Sequence, residues 1–291
     1  MKRKLYLLII TAFTFKIGLC QNPNSPKLII AGSEAMHPAV NAIANEYKRT
    51  SPTGDKLYMS VSAEGSGHGF LSLLGKNANL VASTRKATAQ ELEEFNEQKV
   101  KLKEFMVAKE ALTIVVSKEN PVYRLTAEQV GKIFSGEIKN WNEVGGEDEP
   151  IVIFIRSNSS GCYEGFKNVF FKKDQDYAAS ALMLPSNQKI KEDILKNKNA
   201  ISFLGYNAAA VQEGKLKLLK IAADNEHYVM PNQLTIDEGS YKIVRYCYLY
   251  TTEKDYENNL DVKNFIDFSL STKSKDYWDD NGFWPVLSFK K

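Results

Sequence analysis

Short apolar runs recur along this chain, each followed by a polar turn and then by apolar residues at helical spacing. Lys27-Leu28-Ile29-Ile30-Ala31 predicts a buried strand. Gly32 to Pro38 follows as a turn, and Val40, Ile43, Ala44 and Tyr47 then fall on one helical face. The unit repeats. Leu57 to Val61 predicts a strand, Glu64-Gly65-Ser66-Gly67-His68-Gly69 a turn, and Phe70 to Leu74 the start of a helix. Leu80-Val81-Ala82-Ser83-Thr84-Arg85 predicts a strand with a polar end, and Thr88 to Leu92 opens a helix with an acidic first turn.

A second block begins near Glu110. Ala111 to Val116 predicts a buried strand, which Asn120-Pro121 ends. Thr126 to Phe134 predicts a helix, and Ser135-Gly136 stops it. Ile151 to Ile155 predicts another buried strand, and Phe166, Val169 and Phe170 recur at helical spacing after it. Ile190 to Leu195 reads as a helix, Ala200 to Tyr206 as a strand, Tyr241 to Thr251 as a long aromatic strand and Val262 to Leu270 as a late helix. Strands alternating with helices imply an α/β fold with a mostly parallel sheet.

The polar turns carry the candidate chemistry. A strand-to-helix turn points free backbone N–H groups at one spot, with the positive end of the helix dipole behind them. An anion suits that spot. In Arg156-Ser157-Asn158-Ser159-Ser160-Gly161-Cys162, Ser160 adds a hydroxyl, Gly161 permits close approach, and Arg156 offers a fork of donors for a tetrahedral oxyanion. One such turn also fits a plain capped helix. Several in one chain, each after a strand, point to a ligand, because in open α/β sheets they gather at the carboxyl ends of the strands.

The net charge of +3 is carried by the N-terminus, where Lys2, Arg3, Lys4 and Lys16 lie within the first 20 of 291 residues. Without them the chain is slightly acidic, so nucleic acid is not expected as a partner. Those 20 residues read as an export signal: a basic start, an apolar core from Leu5 to Phe15, and Gly18-Leu19-Cys20 before a cut that leaves Gln21 first. Acylation of Cys20 is the alternative, with Leu19 unusual for a lipobox; an uncleaved signal anchor ranks third. Of the remaining thiols, Cys162 lies in the anion turn and Cys247 in a distant strand, so a disulfide is not expected. Neither has metal-ligand spacing with His37, His68 or His227. No cofactor and no metal are expected.

Taken together, these landmarks resemble the PstS-like phosphate-binding proteins of ABC transporters, within the type 2 periplasmic solute-binding fold. The resemblance is carried by Gly32-Ser33 with Met36 and Pro38, Gly65-Ser66-Gly67, Ala82-Ser83-Thr84-Arg85, Ile133-Phe134-Ser135-Gly136, Asn140-Trp141, Arg156 with Ser160-Gly161, Gly205-Tyr206, and Arg245 with Tyr248 and Tyr250. It covers nearly the whole chain after the signal.

The resemblance implies two lobes around a ligand cleft, residues 27–106 with 241–291 in lobe one and 107–240 in lobe two. It implies capture of inorganic phosphate outside the cytoplasm, a partner ABC transporter permease, and no catalysis; a monomer is expected. Carried over by motif, the phosphate contacts fall on Ser33 with the amides of Ala35 or Met36, on Ser66 and Gly67, on Thr84 and Arg85, and on Arg156, Ser160, Gly161 and Cys162. Cys162 stands where the family usually has a Thr, and a thiol is a poorer donor. Phosphate keeps a proton near neutral pH and sulfate does not, so selectivity calls for a carboxylate acceptor. Some members use Asp where Arg85 stands; here Glu34, inside the first turn, is the candidate acceptor, with Glu64 next.

Two other classes stay open. One is an envelope anion-binding or sensory module without a transporter. The other is a hydrolase using Cys162 as nucleophile and His68 as base.

Overall fold

The computed structural model describes residues 27–172, 174–210, 216–224 and 226–287. The export signal, its cleavage and the Cys20 anchor lie outside them. Three strand–turn–helix units open the chain. β1 (Lys27–Gly32) leads into α1 (His37–Thr50), β2 (Tyr58–Val61) into α2 (Ser66–Leu74), and β3 (Leu80–Ser83) into α3 (Ala89–Glu97). Then β4 (Leu102–Ser117) runs for 16 residues. β5 (Arg124–Thr126) and α4 (Ala127–Ser135) follow, then β6 (Val152–Arg156), α5 (Gly161–Phe170), β7 (Leu182–Leu184), α6 (Asn187–Lys196), β8 (Ala200–Gly205) and α7 (Tyr206–Ala210). The chain ends with β9 (Leu216–Leu218), β10 (Lys220–Ala222), β11 (Tyr228–Val229), α8 (Gln233–Asp237), β12 (Val244–Thr252), α9 (Glu253–Asn258), α10 (Leu260–Ser269), α11 (Lys275–Asp279) and β13 (Trp284–Pro285).

The caps are those the residue types call for. Thr126 and Gln129 form a capping box on α4, and Gly136 ends it at φ 81°, a left-handed conformation that glycine adopts without a Cβ clash. Thr88 and Glu91 form the same box on α3.

The main sheet has the order β2-β1-β3-β12-β4-β8-β6-β7. β1 is parallel to β2 and β3, and β6 is parallel to β8 and β7. The middle departs from the mostly parallel sheet expected from sequence. β12 is antiparallel to both β3 and β4, and β4 is antiparallel to β8. The physical reason is connectivity: β4 carries the chain out of one lobe and β12 carries it back, so the two run in opposite directions. β4 serves both lobes, pairing with β12 over Leu102–Ala111 and with β8 over Leu112–Val116.

Burial divides along the same line. Leu28, Ile30, Val40, Ile43, Leu249, Phe265 and Trp278 belong to one apolar cluster, with Phe70, Phe95 and Tyr250 in a smaller one beside it. Leu112, Ile114, Phe134, Trp141, Phe166 and Phe203 belong to another, with Ile190 and Ile194 beside it. Tyr241 and Ile243, just before β12, and Trp284, after it, also pack into this second group, although residues 241–291 were expected in lobe one. The result is a two-lobed α/β fold with its strand-to-helix turns facing one cleft.

Candidate functional site

Four turns meet between the lobes. In the first, Gly32 takes φ 141° and lies so close to the Ala82 carbonyl that a Cβ would clash with it. That closeness lets the Ser33 amide donate to Ala82 O at 2.8 Å. Ser33 Oγ accepts from the Met36 amide at 3.4 Å, and Met36 buries its side chain in the core. Ala35 is half-buried between them.

In the second turn, Gly65 at φ 106° donates its amide to Gly32 O at 2.7 Å. α2 starts at Ser66, whose Oγ accepts from the Thr84 amide at 3.3 Å. The Gly67 amide donates to Ser159 O at 3.3 Å, a contact from one lobe to the other.

The third turn leaves β3. Ser83 Oγ donates to Arg85 O at 2.7 Å and folds the turn back on itself. Arg85 then forks onto Glu91, each terminal nitrogen donating to a carboxylate oxygen at 2.7 Å. Glu91 is the same residue that closes the capping box of α3. The Arg85 guanidinium also lies over the Phe70 ring at 5.4 Å, close enough for a cation–π contact.

The fourth turn follows β6. Ser160 is the N-cap of α5, its Oγ accepting from the Cys162 amide at 3.2 Å. Gly161 faces lobe one so tightly that a Cβ would collide with Thr84 Oγ1 and come within 2.7 Å of Ser66 Oγ. Arg156 donates to Asn187 Oδ1 at 2.6 Å and to Pro185 O at 3.0 Å, and it pairs with Glu34 of the first turn at 2.9 Å. The other Glu34 oxygen accepts from the Asn187 amide at 3.4 Å.

Ser33, Ser66, Thr84, Arg85, Arg156 and Ser160 are all buried. Arg85 and Arg156 each keep an Nε that is buried without a hydrogen-bond partner. A buried donor left unpaired is costly, and an anion is its natural complement. A third buried arginine, Arg245, donates to Glu110 at 2.6 and 3.0 Å and to Cys162 Sγ at 3.0 Å. Burial pushes the Glu110 carboxyl up, against the opposing pull of Arg245. Each of the three arginines is thus matched by one carboxylate, so the fixed charges at the turns nearly cancel.

Other placements bear on the alternatives. Cys162 and Cys247 are both free and buried. His68 pairs with Glu64 at 2.7 Å, both more than half exposed. Cys162 therefore contacts a guanidinium, while the histidine named with it is engaged elsewhere. Among the described residues no group of three His, Cys, Asp or Glu is placed to hold a metal. A cavity of about 560 Å³ lies away from the turns, lined in part by Lys27, Lys76, Lys99 and Lys254.

This geometry agrees with what the chain is similar to. The PBP superfamily domain matches residues 21–273. The chain belongs to the PBP superfamily. The phosphate-binding protein PstS of Borreliella burgdorferi is 29% identical over 293 residues, covering 98% of this chain and 99% of the relative. Among solved PBP-type structures, an ABC-type phosphate transport receptor from Vibrio cholerae has a TM-score of 0.70 at 26% identity, covering 88% of this chain and 99% of that one. A candidate phosphate ABC transporter substrate-binding protein of Clostridium perfringens, solved with phosphate, reaches 0.77 at 24% identity over 89% and 99% of the two chains.

All four turns expected from sequence thus come together. Sequence reading missed the partners: Glu91 for Arg85, Asn187 and Pro185 for Arg156, and Glu110 with Arg245 beneath Cys162. Signals existed for some of them. Thr88-x-x-Glu91 is a capping-box pattern, and Glu110 and Arg245 are charges beside or within apolar strand runs.

Proposed function

We propose that this chain is an extracytoplasmic solute-binding protein that captures inorganic phosphate between its lobes for an ABC transporter permease. The observation that carries the reading is the convergence of buried hydroxyls, helix N-termini and an arginine at one point of contact between the lobes. The PstS relatives bind phosphate by name, and PBP-type folding supplies the two-lobed frame. Such a site holds a small, compact anion. The described residues of the four turns present hydroxyls, amides and guanidinium groups, with the Met36 side chain buried in the core, and this suits a compact anion better than a larger organic ligand.

In this reading Arg156 supplies the main charge, and Ser33, Ser66, Thr84 and Ser160 supply hydroxyl donors. The amides of Ala35 and Gly161 add to them. Met36, Gly67 and Cys162 are secondary, since their amides are already engaged by Ser33, Ser159 and Ser160. Arg85 contributes only through its Nε, because Glu91 holds its fork. Glu34 accepts the phosphate proton from its place beside Arg156, and sulfate is rejected for having none. We further propose export by the N-terminal signal, a monomer, a protein that binds without catalysis, and lobe boundaries near residues 106 and 240.

The test is calorimetric competition among phosphate, sulfate, an amino acid and a sugar on the chain from Gln21, with Glu34→Gln alongside. We expect phosphate to win, and Glu34→Gln to narrow its advantage over sulfate. Binding of an amino acid or sugar in place of phosphate sinks the reading. An unchanged phosphate-to-sulfate ratio in Glu34→Gln moves the acceptor role to another residue.

A further inference from the structure

Arg245 and Glu110 sit directly opposite each other in the antiparallel ladder of β12 and β4, the two strands that cross between the lobes. Both are buried, and the guanidinium holds one carboxylate oxygen through two nitrogens. Its third nitrogen leaves the pair and donates to Cys162 Sγ at 3.0 Å. Cys162 is the second residue of α5, in the turn whose N–H groups face the cleft.

The surrounding residues are shaped to this arrangement. Gly165 lies three residues after Cys162, on the same helical face. A Cβ there would come into ordinary contact with the Arg245 stem at 3.4 Å, which places the side chain directly under this face of the helix. Gly205, at the end of β8, leaves the space that the Glu110 carboxylate fills; a Cβ there would collide with it. Gly205 therefore makes the room for the buried ion pair, and α5 packs directly over it at Gly165.

Electrostatics add a second reason. A cation beneath a helix N-terminus faces the positive end of the dipole and is unfavourable there without negative charge. Glu110 supplies one negative charge from the crossing strands. An anion bound at the turn would supply another from the cleft side.

We propose that Arg245 is a positioning residue of the anion site, which fixes the α5 turn through the Cys162 thiol and links that turn to the crossing strands through Glu110. This rests on the phosphate reading above. Arg245 does not touch the anion. It holds the first turn of α5 in the orientation that the closed cleft requires. Lysine keeps the charge but not the fork, so it cannot bond Glu110 and Cys162 together. A serine hydroxyl at 162 can still accept from Arg245, and alanine cannot.

The experiment measures phosphate affinity and dissociation rate for the chain from Gln21 as wild type, Cys162→Ala, Cys162→Ser, Arg245→Lys and the double Arg245→Lys/Cys162→Ala. Melting without phosphate is recorded for each. We expect Arg245→Lys to weaken phosphate about tenfold, mainly through faster release. Cys162→Ala should weaken it severalfold, and Cys162→Ser should restore it. The double variant should bind no worse than Arg245→Lys alone, because both break one link. Additive losses in the double variant overturn the proposal, as does equal binding by wild type and Cys162→Ala. The cysteine variants leave the buried ion pair intact, so they decide the matter even if Arg245→Lys does not fold. If wild type binds no phosphate, the functional reading fails and this inference fails with it. If wild type binds and the single variants bind equally, only the role of Arg245 fails.

Discussion

Arg85 and Arg156 occupy corresponding places in the two lobes, and they do different work. Each stands at or just after the end of a strand that leads into a helix, each is buried, and each is paired with a glutamate. Arg85 takes its glutamate from its own lobe, six residues along the chain, in a fork with both distances at 2.7 Å. Arg156 takes its glutamate from the opposite lobe, across the cleft. The first pair is a brace that holds one turn against one helix. The second forms only when the lobes meet. What separates the two is the source of the carboxylate: a buried arginine in an anion-type turn is the stronger ligand candidate when its glutamate lies across the cleft and can yield to an anion, even though Asn187 and Pro185 also hold the Arg156 fork from its own lobe.

The largest effect expected from this contrast is on stability. Arg85→Ala strips a carboxylate that is only 14% exposed of its buried partner and should cost about 3 kcal/mol of unfolding free energy. Arg156→Ala should cost clearly less, because Glu34 is one-third exposed and can turn to water. Denaturant melts of both variants without phosphate check this. Equal losses would erase the distinction between brace and bridge.

The next effect is steric. Gly161→Ala places a methyl against the hydroxyls of Thr84 and Ser66, where the lobes touch. Phosphate affinity should fall by about 2 kcal/mol, in the range for overpacking, with the melting point nearly unchanged. Calorimetry and a thermal melt read the two quantities separately. A lower melting point with normal affinity would mean that this contact serves the fold and not the closed cleft.

A smaller effect is expected from the neutral donors. Ser66→Ala and Ser160→Ala should each weaken phosphate by about 1 kcal/mol, less than loss of the Arg156 charge. Ser160→Ala should also lower stability by about 1 kcal/mol, because Ser160 caps α5. Phosphate titrations and melts of the two variants check both numbers. Equal stability loss in the two would argue against separate capping and binding roles.

Much of this was legible in the sequence, and the reason is local. A strand, its turn and the following helix are decided by residues close together in the chain, so Gly32-Ser33, Ser66-Gly67, Thr84-Arg85 and Ser160-Gly161 could be picked out before any fold was known. Most element ends shifted by a few residues, as at β12, which begins at Val244 and not Tyr241, but β4 begins at Leu102, well before the expected Ala111. Strand direction was not legible. β12 and β4 have the apolar content of parallel core strands, and only the double crossing makes them antiparallel. The partners of the arginines were the least legible. The Arg85–Glu91 pair is short-range and hides behind a capping pattern. Arg156 meets Glu34 from far along the chain, and Arg245 meets Glu110 only through the register of two crossing strands. Nothing in the spacing of those residues reveals the pairing.

The most direct measurement is an isothermal phosphate titration of wild type beside Arg156→Ala and Arg85→Ala, at a temperature where all three are folded. We expect wild type to bind about one phosphate per chain, Arg156→Ala to lose about 2 kcal/mol of affinity or more, and Arg85→Ala to stay within about tenfold of wild type. Phosphate binding by Arg156→Ala as tight as wild type, or a larger loss in Arg85→Ala than in Arg156→Ala, would contradict the assignment of Arg156 as the charge that holds the anion.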